Sequence, residues 1–301
     1  MKINILSPIL ILMTCYSSVF AQKEQIKTIK RISIKEIYIQ TGLFVEQNSN
    51  GSLTDFKTLA PQSVLLNSDF TGYSSSNASG ASGNNMFSVM LGIQFSDKQK
   101  TTYKANPLLR LGFSYCSGTT LIGSLNKEDS NAYDTLTSNQ TGQTLYVDSV
   151  TERYYSMNYS SQQLRFDGSL IFRTNPEARW SLFTGLGIIA GFSLNAKTSI
   201  FYSKYDNTET RFPNGTIYSS SNSSYPGDNI KKEEFKNKNN FGLSTYIPLG
   251  LDFRIGKKRE FWKRIHLFYE LRPAINITSI PELRSFTNTS VQQGLGLKVS
   301  W

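Results

Sequence analysis

Gly294-Leu295-Gly296-Leu297-Lys298-Val299-Ser300-Trp301 decides how this chain is read. In an extended strand successive side chains point to opposite faces. Leu295, Leu297, Val299 and Trp301 then share one face, and Gly294, Gly296, Lys298 and Ser300 the other. An apolar outside, a small or polar inside and a closing aromatic suit a strand set between lipid and a polar interior. The same residues also suit a half-buried strand of a soluble sandwich, so the rest of the chain has to choose.

Period two recurs in eight segments: Glu36–Val45, Met86–Phe95, Leu108–Cys116, Leu164–Phe172, Trp180–Phe192, Phe241–Ile255, Ile265–Ile277 and the stretch ending at Trp301. Alternation kept up so often marks strands rather than chance. The polar faces carry the charges Glu36, Arg110, Arg165, Asp167, Asp252, Arg254, Glu270 and Arg272, four of each sign. In a sandwich these would be the solvated outer face. That face, however, also holds Gly42, Gly92, Gly112, Gly185, Gly187, Gly250, Gly294 and Gly296. Glycine weakens a solvated strand and brings no solubility. Glycines among balanced charges fit the narrow inside of a closed ring, where side chains fill the space and charges must pair. The reading is therefore all-β: an eight-stranded antiparallel transmembrane β-barrel over residues 36–301, with a plugged interior and long extracellular loops.

The start of the chain agrees. Lys2 precedes the apolar run Ile3 to Met13, and Val19-Phe20-Ala21 offers a cleavage site between Ala21 and Gln22. Residues 1–21 read as a signal peptide, too short to span a bilayer as a helix. Residues 22–35 read as a short basic periplasmic segment. Beyond the signal Cys116 is the one cysteine, so no internal disulfide is available and the sheet itself must hold the fold.

With both ends periplasmic, Asp97 to Asn106, Arg173 to Arg179 and Gly256 to Arg264 become periplasmic turns. The connections after segments one, three and five are long, either functional or hairpins rising beyond the membrane. In the first, Gly72 to Gly83 reads as a flexible Ser/Gly/Asn linker. Before it, Leu53 to Leu66 suggests a short helix from Thr54, interrupted at Pro61. Tyrosines 146, 154, 155, 159, 202, 205, 218 and 225 in the second and third loops offer adaptable contact surface.

The net charge of +10 collects at the periplasmic rim, above all in Lys257-Lys258-Arg259-Glu260-Phe261-Trp262-Lys263-Arg264. Basic residues beside aromatics suit lipid head groups. A periplasmic protein would use the same residues, and nucleic acid is not expected for an exported barrel. His266 is the single histidine, facing inward near the periplasmic turn, where it packs or hydrogen-bonds. With one histidine and one cysteine no metal cluster can form, and no nucleophile–base pair is legible. No enzymatic activity and no cofactor are expected.

The signal ending Val19-Phe20-Ala21-Gln22, the strand Arg179-Trp180-Ser181-Leu182-Phe183-Thr184-Gly185-Leu186-Gly187 and the ending Gly294 to Trp301 give the chain a family likeness. It resembles the outer-membrane β-barrel domain proteins of Bacteroidetes-type bacteria, related in architecture to small OmpA-type and PorT-type barrels. Leu295, Leu297, Val299 and Trp301 resemble the terminal signature by which such barrels are recognised for insertion. The resemblance implies location in the outer membrane of a Gram-negative bacterium, outer-membrane lipid as surroundings and the barrel-assembly machinery as a partner. It supplies no substrate and no functional residues. Two expectations of function follow: surface binding or envelope structure through the outer loops, or an accessory part of a secretion or assembly machine that meets periplasmic partners.

Overall fold

The last strand pairs with the first. In the computed structural model Glu36 lies opposite Ser300, Gly42 opposite Gly294 and Glu46 opposite Ser290, all antiparallel. The structure describes residues 31–76, 80–96, 107–137, 139–140, 142–175, 178–212, 214–220, 229–256 and 258–301. The signal segment with Ala21 and Gln22, most of the basic segment 22–35 and the turn 97–106 lie outside the described residues.

The strands, in chain order, are β1 (Arg31–Gln47), β2 (Ser49–Asn50), β3 (Ser74–Ser76), β4 (Ala81–Ser96), β5 (Leu108–Thr137), β6 (Thr144–Arg173), β7 (Trp180–Arg211), β8 (Ile217–Ser220), β9 (Ile230–Asn237), β10 (Phe241–Tyr246), β11 (Leu249–Arg254), β12 (Ile265–Ser279) and β13 (Ser285–Ser300). Each neighbours the next round a ring: β1–β4–β5–β6–β7, then β10 and β11 end to end, then β12, β13 and back to β1. Closure leaves the ring without an edge.

Burial follows the two-residue period of the sequence. On β12 and β13 nearly every second side chain is buried, and those between stand exposed. Interior glycines sit where a neighbouring strand sends in a large side chain. A Cβ built on Gly187 would fall 2.2 Å from the Tyr246 ring, and one on Gly250 2.1 Å from the Phe183 ring. Of the glycines noted in the sequence, Gly187, Gly250 and Gly296 make room for aromatic rings, Gly92, Gly112 and Gly294 for Glu36, Met90 and Gln40, and Gly42 and Gly185 for close approach of the next strand's backbone.

Three segments outrun their expected limits. β5, β6 and β7 continue far past Cys116, Leu164 and Phe192, so among the described residues the second and third loops are largely strand, the hairpin alternative of the two that their length allows. β8 and β9 return along β7 and widen this raised sheet. Ser, Thr, Tyr and Val carry the extension. They suit strands, but they lack the apolar/polar contrast that the alternation test reads. The sixth segment is in fact two strands. Pro248 has no N–H for the ladder, and β10 ends before it while Ile247 N–H reaches Pro273 O at 3.1 Å.

The first loop is also more ordered than its composition implies. Its helix spans Leu53–Leu59, one residue earlier than expected, because Ser52 and Asp55 cap it reciprocally. Asp55 N–H donates to Ser52 Oγ at 3.1 Å and Ser52 N–H to Asp55 Oδ2 at 2.9 Å. The tract read as a linker contains β3, which pairs Ser74–Ser76 with Ser124–Asn126 of β5.

Candidate functional site

Side chains from facing strands fill the interior in layers. At its centre Arg110 of β5 makes a two-pronged contact with Glu270 of β12, at 2.8 and 2.6 Å. Arg272 donates to the same carboxylate at 2.9 Å and to Asp167 of β6 at 2.8 Å. Tyr246 donates to Asp167 from β10, and Arg272 reaches Gln40 of β1 at 3.1 Å. All four charges are fully buried. A buried charge is tolerable only when paired and hydrogen-bonded, and here each has at least two partners.

Toward the chain termini lies a second layer. Glu36 of β1 takes Arg173 of β6 at 2.7 Å and also accepts from Tyr38. Asp252 of β11 is held by Lys298 of β13, and Lys298 lies 3.4 Å from Glu36. Sequence reading placed Arg173 in a turn and left Lys298 out of the charge network. Lys298 could have been found, because it shares the polar face of the closing strand.

Two expected members form no ion pair among the described residues. Arg165 donates to Gln163 at 2.8 Å and lies 4.6 Å from the centroid of the Phe44 ring, a cation–π contact. Arg254 is half-buried, its Nε has no partner, and it enters no ion pair among the described residues. Strand parity gives the face on which a charge lies but not its distance from an opposite one. Cys116 is buried beside Phe44 and Met86, as a small core residue would be.

His266 Nδ1 meets Asp252 Oδ1 at 2.8 Å, and its Nε2 lies 3.4 Å from Ser300 Oγ. The order Ser–His–Asp has the outline of a hydrolytic triad, yet an oxyanion needs free donors beside the serine. Ser300 N–H is spent on Arg264 O at 2.8 Å, and Trp301 N–H on Lys35 O at 3.1 Å. This chain of contacts binds β11, β12 and β13 together where the ring closes. Among the described residues no group of His, Cys, Asp and Glu is arranged to hold a metal ion.

At the opposite end, the first loop folds over the interior. Phe56, Leu59, Leu65 and Leu66 pack on Leu121 of β5, Tyr155, Met157 and Tyr159 of β6, and Ile200 of β7. Asn237 donates to Leu59 O at 2.8 Å, and Ser63 to Glu233. Tyr155 and Tyr159 are therefore core residues rather than contact surface, and Tyr202 packs against the same cluster. Tyr146, Tyr154 and Tyr218 are exposed, Tyr205 is half-buried, and Tyr225 lies outside the described residues. Beside this core, burial and then the charge of the neighbouring Tyr155 and Tyr202 phenolates push the Tyr73 phenol up to about 12.

Around the outside runs an apolar belt. On β7 it includes Trp180, Leu182, Leu186, Ile188 and Phe192; on β13 it includes Leu295, Leu297 and Val299, with Trp301 at the end. No helix among the described residues is long and apolar enough to cross a membrane. A closed strand ring inside such a belt pairs the backbone groups of its strands with one another, as a spanning structure must. Ring and belt together have the build expected of an outer-membrane protein of the Gram-negative kind.

No family model matches the sequence, and no curated protein matches it. Among solved structures, Neisserial surface protein A aligns at TM-score 0.34 and 10% identity, over 90% of this chain and 100% of its own. The attachment invasion locus protein of Yersinia pestis aligns at TM-score 0.27 and 9% identity, over 88% and 99%. The transport unit of the autotransporter AIDA-I from Escherichia coli aligns at TM-score 0.19 and 11% identity, over 97% of each.

Proposed function

We propose that the ring is an eight-stranded transmembrane β-barrel with a plugged interior, acting in surface binding or envelope structure through its extracellular loops. The observation that carries this is the raised sheet of β5, β6 and β7 with β8 and β9. Its inner face is packed by the first loop, and its outer face and tips present Tyr133, Tyr146, Tyr154 and Tyr218. Tyrosines among Ser, Thr and Asn give broad contact at low entropic cost. The charge layers and the first loop close the interior, so a diffusion pore is not part of this reading. Planar-bilayer recordings should show no steady, large conductance; a stable pore would mean the plug was misread.

Both termini belong in the periplasm on this reading. In a Cys116→Ser background, single cysteines at Asn139 and Lys258 test it in intact cells. An impermeant reagent should label the first and spare the second; the reverse pattern inverts the barrel.

Surface binding is tested by deleting the tip of the third loop, Thr208 to Asp228. The pairing of β7 with β9 from Ala196 to Ser203 lies below the cut, so folding and insertion should survive. Binding of the cells to surface ligands should fall. The rival reading, an accessory part of a secretion or assembly machine, uses the basic rim. Replacing Lys257, Lys258, Arg259, Lys263 and Arg264 with Gln should leave surface binding unchanged. If that replacement alone removes a partner, the machine reading takes over. The Bacteroidetes-type, OmpA/PorT-like kinship is part of this proposal, supported by the export signal and the closing strand. Non-enzymatic action is likewise proposed, supported by the Ser300 and Trp301 N–H groups, both already given to carbonyls.

A further inference from the structure

The outer face carries a polar hollow where the apolar belt stops. Tyr115, Leu164 and Phe192 lie side by side on β5, β6 and β7 as one apolar rung. The next rung is Ser117, Gln162 and Asn195, and the one beyond it Thr119, Ser160 and Lys197. These six line a hollow of about 280 Å³. Two β-bulges frame it, one where β5 skips a partner between Thr119 and Leu121, the other where Gln162 pairs Asn195 while Gln163 pairs Ser193. A bulge bends its strand and re-aims side chains. The switch from apolar to hydroxyl, amide and ammonium groups takes a single rung, about 7 Å along a strand.

We propose that this hollow binds the phosphorylated-sugar head group of an outer-leaflet glycolipid. The inference rests on the membrane-spanning reading, and it follows from height: what lies against a barrel just above its hydrocarbon belt is lipid head group. Five neutral side chains offer the alternating donors and acceptors that sugar hydroxyls need. Lys197 supplies the charge for a phosphate. Its nearest carboxylate, Glu234, is 3.4 Å away and both groups are well exposed, a pairing weak enough to exchange. The acyl chains would run down past Tyr115, Leu164 and Phe192 along the belt.

Native mass spectrometry of the full-length protein released from vesicles tests this. The vesicles hold equal amounts of lipid A, a phosphorylated disaccharide lipid, and phosphatidylglycerol. Both lipids carry phosphate, so the wild type should retain one lipid A in about tenfold preference, the scale of one or two hydrogen bonds to its sugar hydroxyls. The double variant Gln162→Leu, Lys197→Gln should lose that preference while keeping its heat-modifiable migration. Equal retention of both lipids, or an unchanged preference in the variant, overturns the proposal. Full displacement by soluble glucosamine 1-phosphate would show a free sugar phosphate as the ligand and overturn it as well. Failure of the wild type to insert at all would instead defeat the membrane-spanning reading on which it stands.

Discussion

Arg272→Ala should destabilise the protein by about 3–5 kcal/mol, the cost of leaving a buried carboxylate without its partner. Arg272 joins Glu270 to Asp167 and reaches Gln40, so its loss affects three strands. Arg110→Ala should be comparable, because Glu270 would lose both prongs of its contact with Arg110. Arg254→Ala should cost far less, since no carboxylate depends on it among the described residues. Arg165→Ala falls between, losing one hydrogen bond and a cation–π contact worth roughly 0.5–2 kcal/mol. The double change Arg272→Met, Asp167→Leu should recover part of the loss, because removing both charges also removes the cost of burying them. Urea unfolding from lipid vesicles measures all five. Equal effects at Arg254 and Arg272 would mean that the interior is held by packing and not by these pairs.

That ranking could not be written from the sequence. Alternation is a property of neighbouring residues, so the inward face of β1, β5, β6, β11 and β12 is legible, and with it the eight charges. Pairing is a property of register across the ring. Whether Glu270 meets Arg110 or Arg165 depends on how β5 and β6 are staggered against β12. The strand extensions were legible only as one of two alternatives, hairpins rising beyond the membrane, and their limits were not. Ser, Thr and Tyr on both faces of β5 beyond Cys116 leave no apolar contrast to read. The first loop shows both limits. Ser52, Asp55 and Pro61 mark its helix locally, while the site it packs into is formed by Leu121, Tyr155 and Ile200 on three distant strands. The strong Asn175-Pro176 signal draws the expected turn back to Arg173, yet Arg173 still lies within β6, two residues short of that pair.

Leu186→Arg separates a lipid-facing belt from a merely exposed one. Leu186 lies midway between Trp180 and Phe192 on β7 and is 63% exposed. In water an arginine there would be harmless, because surface substitutions usually change stability by less than about 0.5 kcal/mol. At the middle of a bilayer it should cost about 2–4 kcal/mol, falling toward zero near the interfaces. The same substitution at Asn158, on the outer face of the raised sheet, should be neutral in either setting. Trp180→Arg, at the terminal edge of the belt, should cost less than Leu186→Arg, since an arginine there can reach the head groups. Unfolding from vesicles, with the three variants side by side, therefore measures depth as well as contact with lipid. A graded loss, largest at Leu186 and absent at Asn158, is the result expected of a barrel that spans the membrane over this belt. Three equal and small effects would return the chain to the soluble reading that its closing strand alone left open.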